Sequence, residues 1–283
     1  MKQLIVNADD FGLHADINRG IIKGHREGFI TSTSLMVGAP AWEAAVELAK
    51  ANKGLGIGVH LTLVGGVKPV LPAHKVPSLV DGEGRFLPSY VEFAKRYYTG
   101  GVKTEELELE LRAQLERALD TGLNITHIDS HQHTHVLPGV NSLVLKLGIE
   151  YNIRRVRIPW ESISFEGGFK AGLGRKIGRN GLSFCAAMAK SRAKRLGYAC
   201  PDHFFGMLAG GNLNPRLISN IINSLPQGVS EIMTHPGLNK EELGRLFSWN
   251  YHWEDELSAY LDPENQALLQ KQQIKLINFG DIV

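Results

Sequence analysis

Residues 5–12 read IVNADDFG, and the whole chain is organised around what this stretch does. Leu4, Ile5 and Val6 are apolar and β-favouring, as in a buried first strand. Asp9 and Asp10 follow directly. Aspartate is seldom buried without a partner, so two in succession at a strand end call for a cation, hydrogen-bond donors or solvent. Side chains alternate in direction along a strand, so one carboxylate could hold a metal while the other takes a proton. The alternative is a cap, with Asp9 or Asp10 satisfying amides of a helix expected at 16–27.

Beyond this strand, 31–37, 55–63, 125–130, 156–159 and 229–234 also read as strands. Helices are expected at 41–52, 104–120, 140–147 and, with glycine interruptions, 161–197. Such alternation without an internal repeat predicts a parallel α/β architecture, either an open doubly wound sheet or a (β/α) barrel. No G-x-G-x-x-G follows the first strand and no G-x-x-x-x-G-K-[ST] occurs, which argues against a dinucleotide or P-loop site. Residues 64–100 are rich in glycine, proline and aromatic residues and long for a connection. They predict a binding loop or lid within a single catalytic domain spanning 1–283.

With 31 basic and 29 acidic side chains the formal net charge is +2, which makes no electrostatic case for nucleic acid or a membrane surface as partner. The basic run 190–195 (KSRAKR) reads as the solvated face of a helix. Cys185 and Cys200 provide neither a disulfide framework nor a thiolate metal site. The first strand begins by residue 4, leaving no room for a leader, and no stretch approaches a membrane span. A cytoplasmic protein is the expectation.

Four of the 11 histidines fall in THIDSHQHTH, residues 126–135, and His60 and His235 each end another predicted strand. In an extended chain His127, Asp129, His131, His133 and His135 would share one side. A single strand cannot aim all of them at one ion, so some must support the ligands or bend away. An aspartate and two histidines from separate strands are an ordinary set for a catalytic divalent ion. A further carboxylate could orient a ligand histidine through its other ring nitrogen. Equally, the tract could cap strands and stack within a polar region.

NADDFG at 7–12, TSTSLM at 31–36, GVHLTL at 58–63, THIDSHQHTH at 126–135, PDHFFG at 201–206 and THPG at 234–237 occur in that order. In this combination the chain resembles the YdjC-like carbohydrate deacetylases, the family that includes chito-oligosaccharide deacetylase. The resemblance implies a distorted TIM-like (β/α) barrel and one divalent ion, with magnesium or zinc expected first and cobalt or manganese next. It carries over Asp10, His60 and His131 as metal ligands, Asp9 as general base, and His235 as the group for acid or oxyanion duties. It also places Arg157 near the site and implies a homodimer. Gln132 departs from the pattern, since many relatives have a histidine there.

The implied reaction removes an N-acetyl group from an N-acetylated mono- or oligosaccharide. Phe11, Asp202, His203 and Phe204 are candidates for substrate contact, with packing or capping as their alternative roles. Of the available aromatics, Phe86, Tyr90, Trp160, Phe204, Phe205, Trp249 and Trp253, two or three are expected to touch ligand. The run 247–253 (FSWNYHW) reads rather as a packed patch or subunit interface. Two other functions fit parts of the pattern: a metal-dependent phosphoesterase on a similar barrel, and a sugar-binding protein without turnover.

Overall fold

The opening apolar run forms β1 (Lys2–Phe11), buried from Leu4 onward, in a computed structural model that describes residues 1–283. Around it lie β2 (Ser32–Leu35), β3 (Gly56–Leu61), β4 (Ile125–Ser130), β5 (His203–Phe205), β6 (Gly228–Thr234) and β7 (Lys275–Leu276). Every pairing is parallel. The order is β4-β3-β2-β1-β6-β5, with β7 added at the foot of β1. The sheet curls into an open half-barrel, the distorted TIM-like form expected. Single bridges, Ile128 to Val156 and Arg155 to Ala199, continue it past β4.

Parallel strands need crossovers, and helices supply them. They are α1 (Ala15–Glu27), α2 (Trp42–Lys50), α3 (Tyr90–Tyr98), α4 (Thr104–Leu119), α5 (Val140–Glu150), α6 (Leu173–Arg195), α7 (Pro215–Ser224), α8 (Lys240–Leu246), α9 (Trp253–Leu261) and α10 (Pro263–Lys271). No helix is long and apolar enough to cross a membrane.

Alternation along β1 sorts its side chains. Leu4, Val6 and Ala8 join the main apolar cluster between sheet and helices. Ile5 meets Ile277, Phe279 and Ile282 in a separate small cluster. Asn7 and Asp9 follow Ile5 on its side of the sheet, so the interior turns polar toward the C-terminal strand ends.

Three elements differ from the sequence expectation. The helix foreseen at 161–197 begins only at Leu173, because Gly167 and Gly168 adopt φ of 58° and 90°, left-handed conformations that interrupt a helix. The strand foreseen at 156–159 is reduced to bridged residues before Pro159, which has no amide to donate. PDHFFG contributes a short strand, β5, that is not among the strands expected from sequence. Residues 64–100 are tied down on α4: Glu110 accepts from the Val70 and Leu71 amides at 2.8 and 3.0 Å, and Glu106 from the Ser78 amide at 2.7 Å.

Candidate active site

Neighbouring residues in a regular strand face opposite sides. Here the register between β1 and β2 shifts between Ala8 and Phe11. Asp10 takes φ 66°, the left-handed region that aspartate tolerates better than most residues. The irregularity brings Asp10 to the interior beside Asp9, and both are buried. Neither caps α1, whose first-turn amide at Asp16 donates instead to His14 Nδ1 at 3.2 Å.

Asp10 Oδ1 lies 2.9 Å from His131 Nδ1 and 3.4 Å from His60 Nε2. His60, near the end of β3, bonds through Nδ1 to Asp129 Oδ1 at 2.8 Å. That outer carboxylate holds the ring so that Nε2 faces Asp10. Ligand atoms of Asp10, His60 and His131 all lie within 4.8 Å of one another, a donor set suited to one divalent ion. The electrostatics agree. Burial pushes the Asp10 carboxyl up, but His131 and then His60 more than offset it and hold it well below the ordinary range. Burial also lowers His60, yet Asp129 and Asp10 lift it to about 10. The carboxylates thus favour a positive charge where these atoms converge, and a metal ion can supply it in place of a proton.

Asp9 has different company. Arg157 grips it with two bonds of 2.6 Å, and Asn7 Nδ2 donates to Oδ1 at 2.9 Å. The same buried guanidinium lies 2.9 Å from Asp129 Oδ2 and donates through Nε to Glu231 Oε1 at 2.7 Å. Burial works against its charge, but Asp129, Asp9 and Glu231 together hold Arg157 well above its ordinary value.

The histidine tract does not stay extended. It leaves β4 at Ser130, and residues 131–136 form a 3-10 turn with Gln132 and His133 at φ 51° and 59°. The rings therefore diverge. His127 stacks on Phe279 with centroids 3.7 Å apart, and burial pushes it down to about 3. His135 contacts Ser130 Oγ at 2.6 Å and the Arg157 carbonyl at 3.0 Å, and burial pushes it down to about 4. His133 lies in the wall of a cavity.

That cavity, about 380 Å³, brings together Asp9, His60, His131 and His235, with Tyr90 and Tyr251 among its walls. His235 follows β6. Its amide donates to Glu256 Oε2 at 2.5 Å, its Nδ1 stands 3.8 Å from the same oxygen, and its ring packs 4.8 Å from Tyr251. The 247–253 aromatics are a packed ladder, Phe247 on Trp249 and Trp249 on Tyr251, but Trp249 also lies 5.5 Å from His131.

Of the expected substrate contacts, Phe204 is buried behind the cavity wall, with Arg157 over its ring at 5.8 Å and His133 edge-on at 6.0 Å. Phe11 is fully buried in the apolar core. Asp202 accepts from the Val229 amide at 3.0 Å, and His203 pairs with Ser230. Neither Asp202 nor His203 is among the residues that line the cavity. Glu231 and Tyr251 carry no site role in the sequence expectation. Glu231 had a legible signal, a carboxylate inside the apolar strand VSEIMT; Tyr251 lies in the aromatic run 247–253, which reads as packing.

Fold and site together define a metal-dependent hydrolase on a half-barrel. The YdjC-like protein family matches residues 3–271, and the chain belongs to it. It is 37% identical to a carbohydrate deacetylase of Brevibacillus brevis, with 99% of each chain covered. It is 32% identical to one of Clostridium beijerinckii over 99% of this chain and 100% of that one. A crystal structure from Enterococcus faecalis V583, described as a candidate cellobiose-phosphate cleavage protein, superposes with a TM-score of 0.78 at 26% identity, over 98% of this chain and 97% of that one.

Proposed function

We propose that this protein hydrolyses the N-acetyl group of N-acetylated sugars such as chito-oligosaccharides, using one divalent ion. The observation that carries the reading is the Asp9 carboxylate, clamped by Arg157, sharing one cavity with His235 and with His60 and His131, on which Asp10 converges. The sugar class comes from the names of the relatives. Asp10, His60 and His131 would hold the ion, which when bound acidifies water and polarises an acyl carbonyl. Asp9, oriented by Arg157 and Asn7, takes the proton of the attacking water. His235 lines the cavity with its Nδ1 on the Glu256 side, so its other nitrogen would face substrate. From there it donates to the carbonyl oxygen as charge develops and passes a proton to the departing nitrogen as the C–N bond breaks. Acetate and a free amine result.

A two-ion phosphoesterase fits less well. The second convergent group, Asp9, His60 and Asp129, already carries the Arg157 cation on both carboxylates and uses His60 Nδ1 for Asp129. A protein that only bound sugar would need neither Asp9 nor His235. The test is acetate release from N-acetylglucosamine oligomers by metal-stripped protein with single divalent ions restored, beside D9N and H131A. Metal-dependent release that collapses in both variants is expected. Cleavage of phosphate esters without any acetate would replace this reading with the phosphoesterase.

A further inference from the structure

The reaction described above leaves His133 without a role, although its ring is buried in the wall of the cavity that holds Asp9, His60 and His235. Its placement is unusual in two respects. Gln132 and His133 are consecutive non-glycine residues with left-handed backbones, φ 51° and 59°. Such conformations persist where surrounding structure enforces them, and they concentrate at functional sites. The enforcing contacts are visible: Gln132 Oε1 accepts from the Tyr90 amide at 2.8 Å, and its Nε2 donates to the Pro88 carbonyl at 3.3 Å.

The second respect is hydrogen bonding. His133 Nδ1 is buried with no partner, and no protein group bonds Nε2. A neutral imidazole carries one N–H and one lone pair. A proton on the sealed Nδ1 would meet no acceptor, whereas one on Nε2, which is not sealed, can be satisfied from outside the protein, so the proton belongs on Nε2 and the bare lone pair on Nδ1. Phe204, edge-on at 6.0 Å, and His135, at 6.4 Å, hold the ring from the protein side. The remaining direction is the cavity.

We propose that His133 is a substrate-binding residue whose Nε2–H donates to an acceptor oxygen of the N-acetylated sugar. The identity of the sugar rests on the deacetylase reading; the donor itself rests on the geometry of this turn.

The test uses metal-loaded full-length protein and the N-acetylglucosamine disaccharide as probe. KM and kcat are measured for wild type, H133Q and H133F. Calorimetric Kd values for the same sugar are measured in a D9N background, where turnover is suppressed. Glutamine can set an amide N–H near the imidazole Nε2 position, whereas phenylalanine keeps the ring and removes the donor. H133F should raise KM and Kd about tenfold with kcat little changed, the effect of one lost hydrogen bond, while H133Q stays within about threefold of wild type. An unchanged Kd in H133F overturns the proposal, as does an H133Q that binds as weakly as H133F with a matching fall in Tm. If wild type releases acetate and H133F binds normally, this proposal fails alone. If wild type releases no acetate but binds the sugar and H133F weakens that binding, the deacetylase reading fails alone. If wild type neither binds nor cleaves, both fall.

Discussion

Beneath the cavity the Arg157 guanidinium meets Asp9, Asp129 and Glu231, one cation against three carboxylates. The bond from Arg157 Nε favours the Glu231 anion, but burial is stronger and raises its carboxyl from 4.5 to about 7. Its Oε2 is buried with no donor to stabilise the anion. A carboxyl raised in the folded state contributes stability that is complete below its unfolded value and is lost as pH rises through about 7. Wild type should therefore lose on the order of 2–3 kcal/mol relative to E231Q between pH 5 and 8, read from urea unfolding at each pH. Parallel curves would show that Glu231 has the same proton affinity in both states. Asp129 acts through His60, so D129N should weaken divalent-ion affinity by about 10–100-fold, measured by competition with a chromogenic chelator. Unchanged affinity would mean that the His60 ring is held by packing alone.

At the scale of elements, the helix and strand limits were largely legible. β4 occupies the expected 125–130, and α4 runs over Thr104–Leu119 against an expected 104–120, because apolar period and turn residues are local. The start of the long helix was not legible, because glycines at 167 and 168 read equally as interruptions within it or as its boundary. The crossing of α1 over the chain after β6 was not legible either. A Cβ on Gly20 would come 2.5 Å from Gly237 Cα, so two backbones touch just beyond His235, and neither glycine offers a side-chain end that can move aside. G20A gains helix propensity but overpacks this crossing, and should lose about 1–2 kcal/mol net in denaturant unfolding. Turnover should fall while metal affinity holds. A G20A protein with wild-type stability and activity would show that α1 can shift without moving His235.

The whole molecule is expected to respond to its ion. A ligand set drawn from β1, β3 and the turn after β4 exists only in the folded chain, so binding there adds to folding stability. Ion at a hundred times its Kd should contribute about 2.7 kcal/mol. Chelation should lower Tm reversibly, and the change should be absent in H131A. An equal loss in H131A would place the stabilising ion elsewhere.

Sequence alone determined the alternating α/β order, the strand-end positions of Asp9, Asp10, His60, His131 and His235, and their chemical types, because apolar periodicity and residue identity are local properties. Only tertiary structure decided which partners each carboxylate meets. Asp10 joins His60 and His131 because a register shift against β2 turns its backbone left-handed, and Asp9 is separated from it by the grip of Arg157. The same holds for Glu231, Tyr251 and His133, whose parts depend on neighbours far away in the chain. Curling of the sheet and the turn at 131–136 set those distances, and no spacing along the chain encodes them.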